Sequence, residues 1–211
     1  MRPPYFTFRP LRSGIAIINP VVDQYGTLGF FGRSGDGATW MVSCYHVLCR
    51  VDFSAYVPGE QVYQPDDHVD PKAMAILTQD RFDATLDCAA AKLLDGVVAV
   101  NEILGFGAID PNPVIPRVGM RVFKYGSATE LTEGIVTAVR GAEVVIQPPP
   151  GYSREYSLSA VGDSGALWIE QRTLRPVALH KKGSTSGVET AVASSLDAVM
   201  RTLNLNFGLG R

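Results

Sequence analysis

The sequence predicts an all-β protein, a barrel or sandwich of short strands with one helix near the C-terminus. Three observations predict it. Short β-branched and aromatic runs alternate with glycine, proline and aspartate punctuation. A length of 211 residues with 46% apolar composition suits one all-β domain with a full core. A proline cluster cuts the chain near its middle.

In the first half, Gly14 to Ile18 is rich in isoleucine and Thr27 to Phe31 ends in paired phenylalanines. Thr39 to Ser43 centres on Trp40-Met41-Val42, and Ala89 to Leu93 is a small-residue run. Such residues fit a pleated, half-buried surface, so each run reads as a strand. Asp110 to Pro116 then holds three prolines in seven positions. Proline fixes φ and lacks an N–H, which disfavours helix and central strand and fits a linker. It divides the chain into residues 1–110 and 111–211. Beyond it, Arg121 to Tyr125, Gly134 to Val139, Glu143 to Gln147, Gly165 to Ile169 and Pro176 to His180 are further strands, while Pro148-Pro149-Pro150-Gly151 reads as an exposed loop. The helix is predicted where Ser194 and Asp197 resemble a capping box and Leu196, Val199, Met200 and Leu203 recur at helical spacing, leaving one apolar face to pack on a barrel.

The formal net charge is −2 and the basic residues are scattered, so the electrostatic footprint of a nucleic-acid or anionic-membrane binder is absent. A protein or peptide substrate fits better. The stretch Met1 to Pro10 lacks the apolar run of a signal peptide, and no uncharged run is long enough to span a bilayer. Cys44, Cys49 and Cys88 form an odd set, expected to be free thiols in a reducing cytoplasm.

Three short segments carry chemistry. Gly162-Asp163-Ser164-Gly165 sets a serine between glycines after an acid; Trp40 to Val47 is a strand-like run ending at His46; Asp87 opens the small-residue run to Leu93. The chain order is therefore His, Asp, Ser. Together these segments resemble the trypsin/chymotrypsin-like serine peptidases, whose triad follows this order. Trp40 to Val47 is similar to the family's histidine motif, with Cys44 and Tyr45 replacing its small pair, and Tyr45 is the departure that could crowd the site. Asp87 to Leu93 is similar to its Asp-x-Ala-x-x-Lys-Leu. The resemblance runs from about Gly26 to the C-terminus. It implies two Greek-key six-stranded barrels forming one protease domain, residues 1–110 carrying His46 and Asp87 and residues 111–211 carrying Ser164 and the specificity pocket. The family's disulfide beside the histidine lacks its partner here, because Val47 follows His46.

The resemblance also implies roles. Serine is a weak nucleophile unaided, so Ser164 needs His46 as general base, within hydrogen-bond reach of its hydroxyl. Asp87 would orient the ring; Asp83 competes for this role but lacks the following Ala and Lys-Leu. The N–H groups of Gly162 and Ser164 would form the oxyanion hole, worth roughly 3 kcal/mol per donor. In the family, the acid matching Asp163 often pairs with an N-terminus freed by cleavage. No Arg-Ile-Val-Gly-Gly activation site exists here, so either another group satisfies Asp163 or the loop is ordered only by an activating protein partner or substrate.

His180 lies where glutamyl endopeptidases and picornavirus-type proteases carry a pocket histidine, and Ser159 matches their pocket hydroxyl. Two such donors suit Glu or Gln before the scissile bond, with Lys181 and Lys182 adding positive potential. The alternative for His180 is a buried strand histidine beside solvated lysines. A protonated His180 would help bind Glu, and cleavage after Glu would then fall relative to Gln as pH rises through its titration range. His68 lies among Asp66, Asp67 and Asp70, which lack calcium-loop spacing and read as a solvated loop, and the cysteines lack zinc-pair spacing.

The expected function is a serine endopeptidase using an acyl-enzyme on Ser164 and no metal or organic cofactor. The competing reading is a catalytically silent protease-like fold that binds proteins. An α/β-hydrolase esterase is disfavoured, because Ala166 stands where its motif needs a second glycine.

Overall fold

A computed structural model of the chain describes residues 6–49, 57–78, 81–152, 157–184 and 189–209. Residues 1–5 of the N-terminal stretch lie outside them. The first half contains β1 (Leu11–Ser13), β2 (Ala16–Asn19), β3 (Gln24–Thr27), β4 (Phe30–Arg33), β5 (Thr39–Ser43) and the single turn α1 (Tyr45–Leu48). There follow β6 (Gln61–Val62), β7 (Ala75–Ile76), β8 (Phe82–Asp83), β9 (Cys88–Leu93), β10 (Ala99–Ile103) and β11 (Gly107–Ala108). The second half holds β12 (Arg121–Gly126), β13 (Glu130–Arg140), β14 (Glu143–Gln147), β15 (Leu167–Glu170), β16 (Pro176–Gly183), β17 (Ala191–Ser195), α2 (Leu196–Leu203) and β18 (Asn206–Phe207).

The second half forms one closed six-stranded barrel in the order β12-β13-β14-β17-β16-β15. Its apolar positions alternate inward: Val122, Val136, Val144, Ile146 and Trp168 are all buried in one cluster. Among the described residues, the strands of the first half do not join into one closed ladder. They divide among a sheet β18-β4-β5-β9-β7-β6 with β8 on β9, a sheet β1-β10-β11, and the hairpin β2-β3. The expected single run Thr27 to Phe31 is split, because Leu28 N–H turns to Ile15 O and Gly29 N–H to Val42 O.

The C-terminus crosses back to the first half. β18 pairs with β4, and Leu196, Val199 and Leu203 of α2 join the core that contains Phe30, Met41 and Ala90. The amphipathic helix is thus where its periodicity puts it, but the capping box does not form. Ser195 is the N-cap and makes no side-chain cap bond, while Ser194 belongs to β17 and its hydroxyl donates to Leu86 O at 2.6 Å. Pro149 is buried, so only Pro150 and Gly151 of the triple-proline loop are exposed. Among the described residues, no helix is long and apolar enough to cross a membrane.

Candidate active site

His46 rides on α1 rather than at a strand end. The first N–H groups of a helical turn lack intrahelical partners. The His46 N–H finds one in Asp87 Oδ1 at 3.1 Å, and Asp87 Oδ2 lies 2.8 Å from His46 Nδ1. One carboxylate therefore caps the turn and fixes the ring, so Nδ1 carries the proton and Nε2 is left as acceptor. Asp87 has φ +53°, a left-handed conformation that Asp tolerates better than most residues. Asp83, the competing acid, is committed to the turn before it, accepting the N–H groups of Thr85 and Leu86 at 2.8 Å each. Burial pushes Asp87 up, but the His46 contacts and the Lys181 charge outweigh it and hold the carboxyl below its ordinary value.

Ser164 sits on a loop pressed against β3 and β5. A Cβ on Gly165, where φ is +94°, would lie 2.1 Å from Ser43 Oγ and 2.3 Å from Thr27 O, so the approach requires glycine. Thr27 N–H donates to Ser164 O at 2.8 Å, and the Thr27 and Ser127 hydroxyls donate to Gly162 O at 2.8 and 2.6 Å. Asp163 O accepts from Ala166 N–H at 2.9 Å. A trans peptide points its N–H opposite its C=O, so the Ser164 N–H faces away from Ala166. Among the described residues, neither it nor the Gly162 N–H donates to a protein acceptor. Open backbone N–H groups on the loop that carries Ser164 are the kind of donor an oxyanion requires.

Of the two fates left open for Asp163, the structure has the first. Its buried carboxylate meets Lys124 Nζ at 2.9 Å and Thr129 Oγ1 at 2.6 Å, and accepts the N–H groups of Ala128, Thr129 and Ala160 at 2.9, 3.1 and 3.1 Å. Burial raises its pKa, yet Lys124 and these donors win and hold it below the ordinary carboxylate range. A Cβ on Gly126 would lie 2.2 Å from Asp163 Oδ1, so this acid also needs a glycine beneath it. Sequence reasoning missed Lys124. A lysine on a strand facing the core was the available signal.

β16 carries a bulge here. His180 pairs with Ala193 and Lys182 with Val192, leaving Lys181 as the extra residue. Bulges re-aim backbone groups: Lys181 O accepts the Ser164 hydroxyl at 3.1 Å, and Lys181 Nζ donates to Thr85 O at 3.4 Å, on the turn before Asp87. The expected Ser164–His46 hydrogen bond is therefore replaced by one to Lys181. Redirecting the hydroxyl to His46 Nε2 would give up this bond to Lys181 O.

His46, Asp87 and Ser164 come together on a cleft of about 480 Å³ that Ser159, His180, Lys181 and Lys182 also line. Ser159 Oγ is buried without a partner among the described residues. His180 is 1% exposed, and its Nδ1 accepts Trp168 Nε1–H at 3.4 Å, leaving Nε2 as the protonated nitrogen. Burial, with Lys124 second, pulls its pKa down to about 3. The protonated His180 considered from sequence is thus corrected to a neutral donor, because burial and the Lys124 charge outweigh the Asp163 carboxylate that would favour the cation. Around His68, Asp66 accepts from the N–H groups of His68 and Val69 and from the Tyr25 hydroxyl, and Asp70 pairs with Arg9. Those acids organise a loop rather than being freely solvated.

No protein-family model and no characterised protein sequence matches the chain. Solved structures do. A glutamic-acid-specific serine protease described as using a histidine triad in substrate binding matches with TM-score 0.68 at 17% identity, over 94% of this chain and 100% of its own. Nocardiopsis protease matches with TM-score 0.67 at 14% identity, over 93% and 99%. The Cellulomonas bogoriensis chymotrypsin gives 0.65 at 14% identity, over 95% and 100%. The chain has the chymotrypsin-like serine protease fold. At these identities the likeness carries the fold, and any chemistry rests on the residues themselves.

Proposed function

We propose that the chain is a serine endopeptidase acting on protein or peptide substrates through an acyl-enzyme on Ser164. The observation that carries this reading is the double hold of Asp87 on His46, at ring and backbone, on the cleft that contains Ser164. Ser164 Oγ attacks the scissile carbonyl carbon while His46 Nε2 takes its proton. The N–H groups of Gly162 and Ser164 receive the oxyanion. His46 then protonates the leaving amine, the C–N bond breaks, and water hydrolyses the ester by the same proton route. Asp163, already satisfied by Lys124, holds the oxyanion loop without a freed N-terminus.

In the same reading, Ser159 and His180 donate to the side-chain oxygen of Glu or Gln before the scissile bond, with Lys182 at the rim. The orphaned Ser159 hydroxyl supports this, and the glutamic-acid-specific structural neighbour is consistent with it. Three unpaired thiols fit a reducing cytoplasm as its compartment.

One observation favours the second reading, a silent binding module: the Ser164 hydroxyl rests on Lys181 O. Labelling with a fluorophosphonate separates the two. The protease labels at Ser164 and the Ser164→Ala variant does not. A folded wild-type protein that never labels is the binding module.

A further inference from the structure

Cys44, His46 and Asp87 each offer one ligand-type atom to the same small space, and these atoms lie within 4.8 Å of one another. The local fold brings this about. Cys44 is the N-cap of α1, His46 follows two residues on, and Asp87 grips His46 at both its ring and its N–H. The Cys44 thiol is buried and points across the site, donating to His180 O at 3.0 Å.

We propose that this cluster binds a borderline or soft divalent cation of the zinc or cadmium kind through Cys44 Sγ, His46 Nδ1 and Asp87 Oδ2, and that occupancy switches off His46 as a base. A mixed sulfur, nitrogen and oxygen set is what such ions select. Bond lengths of about 2.0–2.3 Å put tetrahedral ligand atoms roughly 3.3–3.8 Å apart, so side-chain shifts of about an ångström close the site. Charge favours it as well: a dication against a thiolate and a carboxylate leaves this half-buried place neutral, which limits the desolvation cost. His46 and Asp87 line the cleft, which gives the ion a route in and a water for its remaining position.

The protons balance. The Cys44 S–H proton leaves to solvent as the metal–sulfur bond forms. The imidazole proton moves from Nδ1 to Nε2 as the Nδ1 lone pair takes the metal. Nε2–H then has no lone pair for the Ser164 proton. The metal site stands on geometry alone, whereas the loss of base function rests on the protease reading above.

The full chain carrying Ser164→Ala is titrated with Cd²⁺ under a phosphine reductant. Expected are a sulfur-to-cadmium charge-transfer band saturating at about one equivalent and release of about one proton per ion. Cys44→Ala and Asp87→Asn should each weaken binding about tenfold or more. The absence of a band, or a band kept at full strength in Cys44→Ala, overturns the site, the latter by moving the ligand to Cys49 or Cys88. If Cys44→Ala does not fold, unchanged affinity in Asp87→Asn overturns it. In the wild type, Zn²⁺ should suppress fluorophosphonate labelling and a chelator restore it; labelling that persists at saturating Zn²⁺ overturns the switch. A cadmium band in a wild-type protein that never labels keeps the metal site and rejects only the protease reading.

Discussion

Lys124 Nζ lies 2.9 Å from Asp163 Oδ2, and neither side chain has any exposed surface. The pair ties strand β12 of the second barrel to the loop that presents Ser164, one residue beyond Asp163. A buried charge without its partner is costly, so Lys124→Met should destabilise by about 3–5 kcal/mol. In a chain of this size that is a drop in Tm of roughly 10 °C. Thermal melts of Lys124→Met and of Lys124→Met with Asp163→Asn test this. The double variant, relieved of its orphaned carboxylate, should recover stability while its fluorophosphonate labelling stays slow. Full labelling in the double variant would show that the pair does not position the loop.

Turnover should respond to His46, Asp87 and Ser164 as to a single unit. Ser164→Ala and His46→Ala should each lower kcat by about 10⁴-fold or more, and Asp87→Asn by a similar order, since it leaves the ring without its orienting acceptor. Each should keep its circular dichroism spectrum. Near-wild-type turnover in Ser164→Ala would remove the assignment.

All three cysteines are buried and unpaired. Burial pushes the thiols of Cys49 and Cys88 up to about 12, and that of Cys44 is raised as well. Thiolate is the reactive form, so the native protein should react slowly with a disulfide reagent near neutral pH. In denaturant without reductant, the count should be three. A count of one would reveal a bridge.

The strands of the second half were legible because Val, Ile and aromatic residues recur in runs there, and the β14 boundaries fall as expected at Glu143 and Gln147. Two-residue strands such as β6 and β8 were not legible. They form because neighbours across the sheet offer partners, which no local pattern announces. The turn α1 was hidden for the same reason, since the His46 N–H in it is satisfied by Asp87, 41 residues away. At the site, motif spacing pointed to His46, Asp87 and Ser164 but could not show the bulge at Lys181. Lys124 escaped notice because a lone lysine in a strand gives no sign of the acid it will meet.

Stability should depend on pH through His180. Its pKa lies near 6.5 when unfolded and about 3 in the fold, where burial disfavours the cation. Between these values the unfolded chain binds a proton that the folded chain refuses. Stability therefore falls as pH drops from about 6.5 towards 3, with a slope of up to about 1.4 kcal/mol per pH unit. Urea denaturation at pH 7 and pH 5 should show the loss, and His180→Gln should flatten it. An equal slope in that variant would assign the effect to other groups.

Substrate preference gives the last test. Ser159 Oγ has no partner among the described residues, and neutral His180 keeps its proton on Nε2, so both can donate to a side-chain oxygen in the cleft. A peptide library should therefore show cleavage after Glu or Gln. A pocket whose polar groups are left unpaired by the wrong side chain penalises it heavily, and His180→Ala should cut selectivity by on the order of 100-fold. Because His180 stays neutral well below its ordinary range, the Glu-to-Gln ratio should stay level between pH 6 and 8 rather than follow a histidine titration. Cleavage dominated by Arg, Lys or large apolar residues, or a profile unchanged by His180→Ala, would reject the pocket and leave the roles of His46, Asp87 and Ser164 standing. A ratio that swings through a midpoint near 6.5 would instead show that His180 becomes protonated once substrate is bound.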